Sequence, residues 1–117
     1  MARKKEGDQL TPLELEIMKI LWETGPATVH AVQERLAGTR DLAYTSVQTM
    51  LNVLHRKGKV GRELRDRAYV YEPLVSRAEV VSTTMGDIID RLFGGSAESL
   101  VLSLVEARKL SPAKLAR

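Results

Sequence analysis

The chain has 117 residues, of which 44% are hydrophobic and 28% charged, and a formal net charge of +3; these values are typical of one small folded domain with a short appended element. It has no cysteine and no apolar run near the roughly 18 residues of a membrane span. Disulfides, zinc fingers and thiol catalysis are therefore excluded, and we expect a cytoplasmic protein without membrane insertion.

Two helices are predicted in the first third of the chain. Thr11 and Glu14 form a capping box with a proline between them at the first helical position. Gly25 ends this helix, because it can cap the last turn and the proline that follows cannot continue it. The second helix covers about residues 29–36, with Thr28 as its cap.

A third helix is predicted within residues 43–58, which read AYTSVQTMLNVLHRKG. Its apolar residues recur at the spacing of one buried helical face; they are Val47, Met50, Leu51 and Leu54. The opposite face carries hydroxyls, amides and one guanidinium, but no carboxylate.

Beyond Gly58 the helical spacing changes to alternation, which predicts two short strands around the turn Arg65-Asp66-Arg67 and an end at Pro73. Three helices followed by such a hairpin form a winged helix-turn-helix. The predicted fold class is therefore mainly α with a small β-hairpin, followed by C-terminal dimerisation helices.

The C-terminal part is predicted to be helical, with a break at Gly94-Gly95. Its apolar stripe is too wide for the small preceding domain to cover, which favours pairing with a second chain over folding back. The predicted dimerisation residues are Val81, Met85, Ile88, Ile89, Leu92, Phe93, Leu100, Val101, Leu104 and Val105. The domain organisation is then a basic arm (1–9), a winged-helix domain (10–73) and a helical dimerisation region (74–117).

The polar face of the third helix predicts a double-stranded DNA operator as partner. Amide side chains can pair with adenine edges, threonine can contact thymine, and the absence of carboxylates avoids repulsion of phosphates. We expect base reading by Thr45, Ser46, Gln48 and Thr49 near the start of the helix. We expect backbone contacts from Asn52, Arg56, Arg62, Arg65, Arg67, Arg3, Lys4 and Lys5.

Charge distribution agrees with this hypothesis, because seven basic but only three acidic residues lie between Arg40 and Arg67. The alternative is a solvated surface on a winged-helix protein-interaction module without sequence-specific DNA binding. An enzyme is disfavoured, since no catalytic triad can be identified. His30 and His55 lie far apart without further ligands nearby, so neither a metal site nor a cofactor is expected.

Four stretches resemble the penicillinase repressor family, the BlaI/MecI-type winged-helix repressors that also include copper-responsive members. They read LTPLELEIMKILWETGPATVHAVQERL, RDLAYTSVQTMLNVLHRKGKV, RAYVYEPLVSR and GGSAESLVLSLVEARKLS. The resemblance runs from Leu10 to about Leu110. It implies a dimeric repressor that binds an inverted repeat over a promoter, with intertwined C-terminal helices.

The resemblance also implies a mode of induction. In the β-lactam branch, a membrane sensor-protease system inactivates the repressor by cleavage at an Asn-Phe bond in the C-terminal helices. The matching pair here is Ser103-Leu104, which argues against induction with the same cleavage specificity. The copper-responsive mode requires C-terminal cysteines and is excluded. Control of β-lactam resistance or stress genes is the expected role.

Overall fold

The computed structural model describes residues 9–109, and within this range the chain forms five helices and three strands. In chain order they are α1 (Pro12–Thr24), β1 (Ala27–Thr28), α2 (Val29–Leu36), α3 (Tyr44–Arg56), β2 (Val60–Arg65), β3 (Ala68–Pro73), α4 (Arg77–Leu92) and α5 (Ala97–Glu106). The chain divides into two compact units, one ending at Glu79 and one beginning at Val80. The predicted fold class, mainly α with a small β-hairpin, is confirmed.

The predicted start and end of α1 are confirmed at atomic detail. The Glu14 N–H donates to Thr11 Oγ1 at 3.1 Å, and the Thr11 N–H donates to Glu14 Oε1 at 2.9 Å. Gly25 ends the helix with φ of 79°, a value that glycine adopts without steric cost. These local signals fix both ends of α1.

Helices α2 and α3 also occupy the predicted positions. The Ala31 N–H donates to the Thr28 side chain at 3.1 Å, which caps α2. The apolar face of α3 is buried at Val47, Leu51 and Leu54, so its polar face points away from the core.

The core of the first unit consists mainly of aliphatic side chains from all three helices and the sheet. Its buried members are Ile17, Met18, Leu21, Ala27, Val29, Val32, Leu36, Val47, Leu51, Leu54, Val60 and Tyr71. Each fully buried large side chain contributes about 2 kcal/mol relative to an exposed one, so this core fixes the position of α3.

The sheet is antiparallel with the strand order β1-β3-β2. The hairpin turns at Asp66 and Arg67, which have φ of 48° and 71°, as a two-residue turn of this kind requires. Strand β1 was not predicted from the sequence; its residues Ala27 and Thr28 pair with Tyr71 and Val70. The central strand is therefore the second arm of the hairpin.

The second unit contains most of α4 and all of α5. The glycine pair between them has positive φ values of 56° and 86°, and Ser96 caps α5 by accepting the Ser99 N–H at 3.1 Å. Neither helix contains a buried residue. Among residues 9–109, none of the helices combines the length and the hydropathy that a membrane span requires.

Candidate nucleic-acid interface

The outer face of α3 presents the four side chains that the sequence predicts to read bases. Thr45, Ser46 and Thr49 are exposed, and Gln48 is half-buried. Within residues 9–109, none of the four side chains has a hydrogen-bond partner in the protein. Their donors and acceptors are therefore available to an external partner.

The start of α3 adds a feature that sequence reasoning missed. Ala43 is the N-cap and offers no side-chain hydrogen bond, and the first turn contains no acidic residue. Helix starts leave backbone N–H groups without intrahelical partners and carry a partial positive charge. The signal was present in the sequence, as an alanine at the position where serine, threonine or aspartate usually stands.

The basic residues between positions 40 and 67 are not equally available. Arg40 and Arg65 form ion pairs at 2.9 Å with Glu16 and Glu63. Arg56 at the end of α3 and Arg67 at the hairpin turn are exposed and have no acidic partner among the described residues. Unlike Arg40 and Arg65, these two described side chains need not give up a carboxylate to bind another group.

Lys57 is part of the basic segment but is held inside the protein. Its Nζ lies 2.8 Å from Glu14 Oε1 and 3.1 Å from the Gln9 carbonyl oxygen. The exposed side-chain fractions are 17% for Lys57 and 3% for Glu14. The pair ties the end of α3 to the start of α1, so this charge serves the fold.

A polar network connects α3 to the hairpin. Asn52 Oδ1 accepts hydrogen bonds from Arg62 Nη1 at 2.8 Å and from the Tyr71 hydroxyl at 2.9 Å. The guanidinium carbon of Arg62 lies 4.3 Å from the centre of the Tyr69 ring. The two tyrosines were not among the predicted site residues, because their partners are distant in sequence.

The remaining predicted residues lie elsewhere or outside the described range. Arg3, Lys4 and Lys5 are outside residues 9–109. The predicted dimerisation residues lie on α4, on α5 and at Phe93 between them, and all are half-buried or exposed, with Val81 51% and Leu92 73% exposed. Ser103 and Leu104 are half-buried on α5. The described part of the chain holds no cluster of metal-ligating side chains.

One side of α5 forms a shallow apolar surface lined by Ala97, Glu98, Val101, Leu102 and Val105. Leu102 is 59% exposed and was not among the predicted dimerisation residues. Because it lies one position after Val101, its apolar character widens the stripe around the helix.

The chain is similar in sequence to known proteins. Residues 10–117 match the family model described as penicillinase repressor. The transcriptional regulator BlaI of Mycobacterium tuberculosis is 39% identical over 100 residues, which are 84% of this chain and 72% of that protein. The penicillinase repressor of Bacillus licheniformis is 28% identical over 107 residues, 92% of this chain and 84% of that one.

A solved structure relates the fold to DNA. It is the solution structure of the Bacillus licheniformis BlaI monomeric form in complex with the blaP half-operator. The match has a TM-score of 0.53 and 30% sequence identity, and it covers 61% of this chain and 87% of that chain.

Proposed function

Because the chain belongs to the penicillinase repressor family, we infer that it is a DNA-binding transcriptional repressor, and we propose that it acts as a homodimer on a palindromic operator. The observation that carries the proposal is the carboxylate-free outer face of α3, whose four candidate base-reading side chains have no partner within the described residues. Its curated relatives are likewise named as repressors or transcriptional regulators.

In the proposed complex, the winged-helix domain of residues 10–73 places α3 in the major groove. Gln48 pairs with a base edge, and the hydroxyls of Thr45, Ser46 and Thr49 contact bases or the adjoining phosphates. The uncapped N–H groups at the start of α3 favour a phosphate at that end. This arrangement uses polar groups that the protein leaves without partners.

The hairpin and the helix end supply the sequence-independent contacts. Arg56, Arg62, Arg65 and Arg67 contact the sugar-phosphate backbone, and the basic arm of residues 1–9 adds Arg3, Lys4 and Lys5. Each phosphate contact releases condensed counterions, so affinity falls steeply as the salt concentration rises. Arg65 must exchange its Glu63 carboxylate for a phosphate, which makes it the weaker contributor.

Residues 74–117 form the proposed dimerisation region. The helices α4 and α5 carry a wide apolar stripe without a single buried residue, and a second copy would cover it. Two-fold symmetry then places the half-sites about 34–36 Å apart, or a multiple of this spacing.

Relief of repression is proposed to follow loss of the dimer. Cleavage at Ser103-Leu104 would interrupt the dimerisation stripe on α5, and each half would then hold DNA without the avidity of two linked sites. A membrane sensor-protease system whose specificity differs from that for an Asn-Phe bond would supply this cleavage in the cytoplasm, and β-lactam resistance or stress genes are the proposed targets.

The test begins by selecting duplexes from a random-sequence pool with the full-length protein. Fluorescence anisotropy then compares the selected duplex with a scrambled one for the wild type, Gln48→Ala and Arg67→Ala. We expect Gln48→Ala to cost about 1–3 kcal/mol on the selected duplex and little on the scrambled one. Arg67→Ala, as the matched control, weakens both duplexes alike and lowers the salt slope by about 0.9. A wild type that selects no sequence would favour the protein-interaction module.

A further inference from the structure

Asn52 stands on the polar face of α3, but its carbonyl oxygen is used inside the protein. A side-chain amide oxygen has two lone pairs, and both are occupied here, by the Arg62 guanidinium and the Tyr71 hydroxyl. The orientation of the Asn52 amide is therefore set by the hairpin. This differs from the neighbouring positions on α3, whose side chains have no partner in the described chain.

Tyr71 fixes the buried end of this network. Only 1% of the residue is exposed, so the hydroxyl cannot reach DNA and can act only on Asn52. In the sheet register Tyr71 lies directly opposite Arg62, and side chains of directly opposite residues stand on the same face. The backbone register thus places both donors at one Asn52 oxygen.

Arg62 forms the exposed end of the network. Its guanidinium has five N–H donors in a rigid plane, and the one recorded bond, to Asn52, leaves the others without partners among the described residues. The guanidinium carbon lies over the Tyr69 ring, 4.3 Å from its centre, which is a favourable cation–π distance. The guanidinium is therefore held from two sides while its remaining donors stay exposed.

We propose that Asn52, Tyr69 and Tyr71 are positioning residues that hold the Arg62 guanidinium ready for a DNA phosphate. Asn52 then supports operator binding through Arg62, without a contact of its own to the DNA backbone. An arginine held in its bound orientation loses less rotamer freedom on binding. The network also couples the hairpin contact to α3, because both depend on the same amide. This inference rests on the proposed function.

A double-mutant cycle on the full-length protein tests the proposal. Anisotropy with a duplex selected from a random pool gives the affinities of the wild type, Asn52→Ala, Arg62→Ala and the double variant. We expect Arg62→Ala to weaken binding roughly ten-fold and Asn52→Ala roughly five-fold. In the Arg62→Ala background, Asn52→Ala should have no further effect. Equal losses in both backgrounds would overturn the proposal, since a direct DNA contact or a merely structural role would persist without Arg62.

Two further variants sharpen the comparison. Thr49→Ala lies on the same face of α3 without contact to Arg62, and its loss should be equal in both backgrounds. Tyr71→Phe keeps the buried ring and removes only the hydroxyl, so this variant should keep the packing of the core. It can therefore replace Asn52→Ala in the test if Asn52→Ala does not fold. We expect Tyr71→Phe to lower the affinity for the duplex roughly two- to three-fold in the otherwise wild-type protein and not at all in the Arg62→Ala background. An equal loss of affinity in both backgrounds would again overturn the proposal. A wild type without preference for any duplex would instead refute the proposed function, which separates the two failures.

Discussion

The ion pair between Lys57 and Glu14 allows a stability prediction in which burial decides the magnitude. Replacing Lys57 by methionine keeps most of the aliphatic stem but removes the ammonium group. The Glu14 carboxylate, 3% exposed, would then keep only the Thr11 N–H as a recorded hydrogen-bond donor. Removing one partner of a buried ion pair is strongly destabilising, because the remaining charge is left without compensation.

The expected loss is about 3 kcal/mol, the lower end of the range for breaking a buried ion pair, because the Lys57 side chain is 17% exposed. For a chain of this size, that corresponds to a drop of about 10–15 °C in Tm. Arg35 is the matched control. It pairs with Glu23 at 2.7 Å, but the two side chains are 50% and 65% exposed, so Arg35→Met should cost at most about 1 kcal/mol.

Urea denaturation followed by the fluorescence of Trp22, the single tryptophan, measures these differences at one fixed protein concentration. Adding Glu14→Gln to Lys57→Met should recover at least about 1 kcal/mol, since glutamine can still complete the capping box without a buried charge. A Lys57→Met protein within 1 kcal/mol of the wild type, or a double variant less stable than Lys57→Met, would refute the reasoning.

Three further predictions concern other parts of the chain. Arg67→Gly should raise the free energy of unfolding by about 0.5–1 kcal/mol by relieving the positive φ, yet weaken the binding of all duplexes. Urea denaturation measures the first effect and anisotropy the second; a variant less stable than the wild type would contradict the expected gain in stability. Val101→Glu should yield a monomer in analytical ultracentrifugation and lower operator affinity at least roughly 100-fold; an intact dimer would contradict the proposed interface. The Ser76 N–H donates to the Glu79 carboxylate and lowers the pKa of Glu79 below its ordinary value of 4.5. The stability that this capping hydrogen bond gives the folded chain is therefore present above pH 4.5 and is lost as the pH falls through the lowered pKa. An NMR titration of the Glu79 carboxyl with a midpoint at or above 4.5 would disagree.

The features that could be predicted from the sequence depend on residues close together in the chain. The capping box at Thr11, the Thr28 cap and the glycine pair at 94–95 act within four positions, so their physical effect can be read locally. The buried face of α3 likewise follows from helical periodicity. These signals were sufficient to place both helices of the helix-turn-helix and the start of the hairpin.

The features that were missed depend on pairs far apart in sequence. β1 contains two residues, too few to show alternation, and it exists because β3 offers an unpaired edge. The contacts of Lys57 with Glu14 and of Asn52 with Tyr71 bridge 43 and 19 positions, and only the packed core brings them together. Net charge therefore overestimated the available basic surface, because it counted Lys57 as a surface cation.

Thr28 belongs to two elements, since it pairs with Val70 in the sheet and caps α2. A residue inserted beside it would displace the second helix and the inner strand at once, and such an insertion should be selected against. Asp66 and Arg67, by contrast, belong only to the hairpin turn, and both residues are exposed. The hairpin can therefore change in length without moving α2 or β1, whereas the junction at Thr28 must keep its spacing.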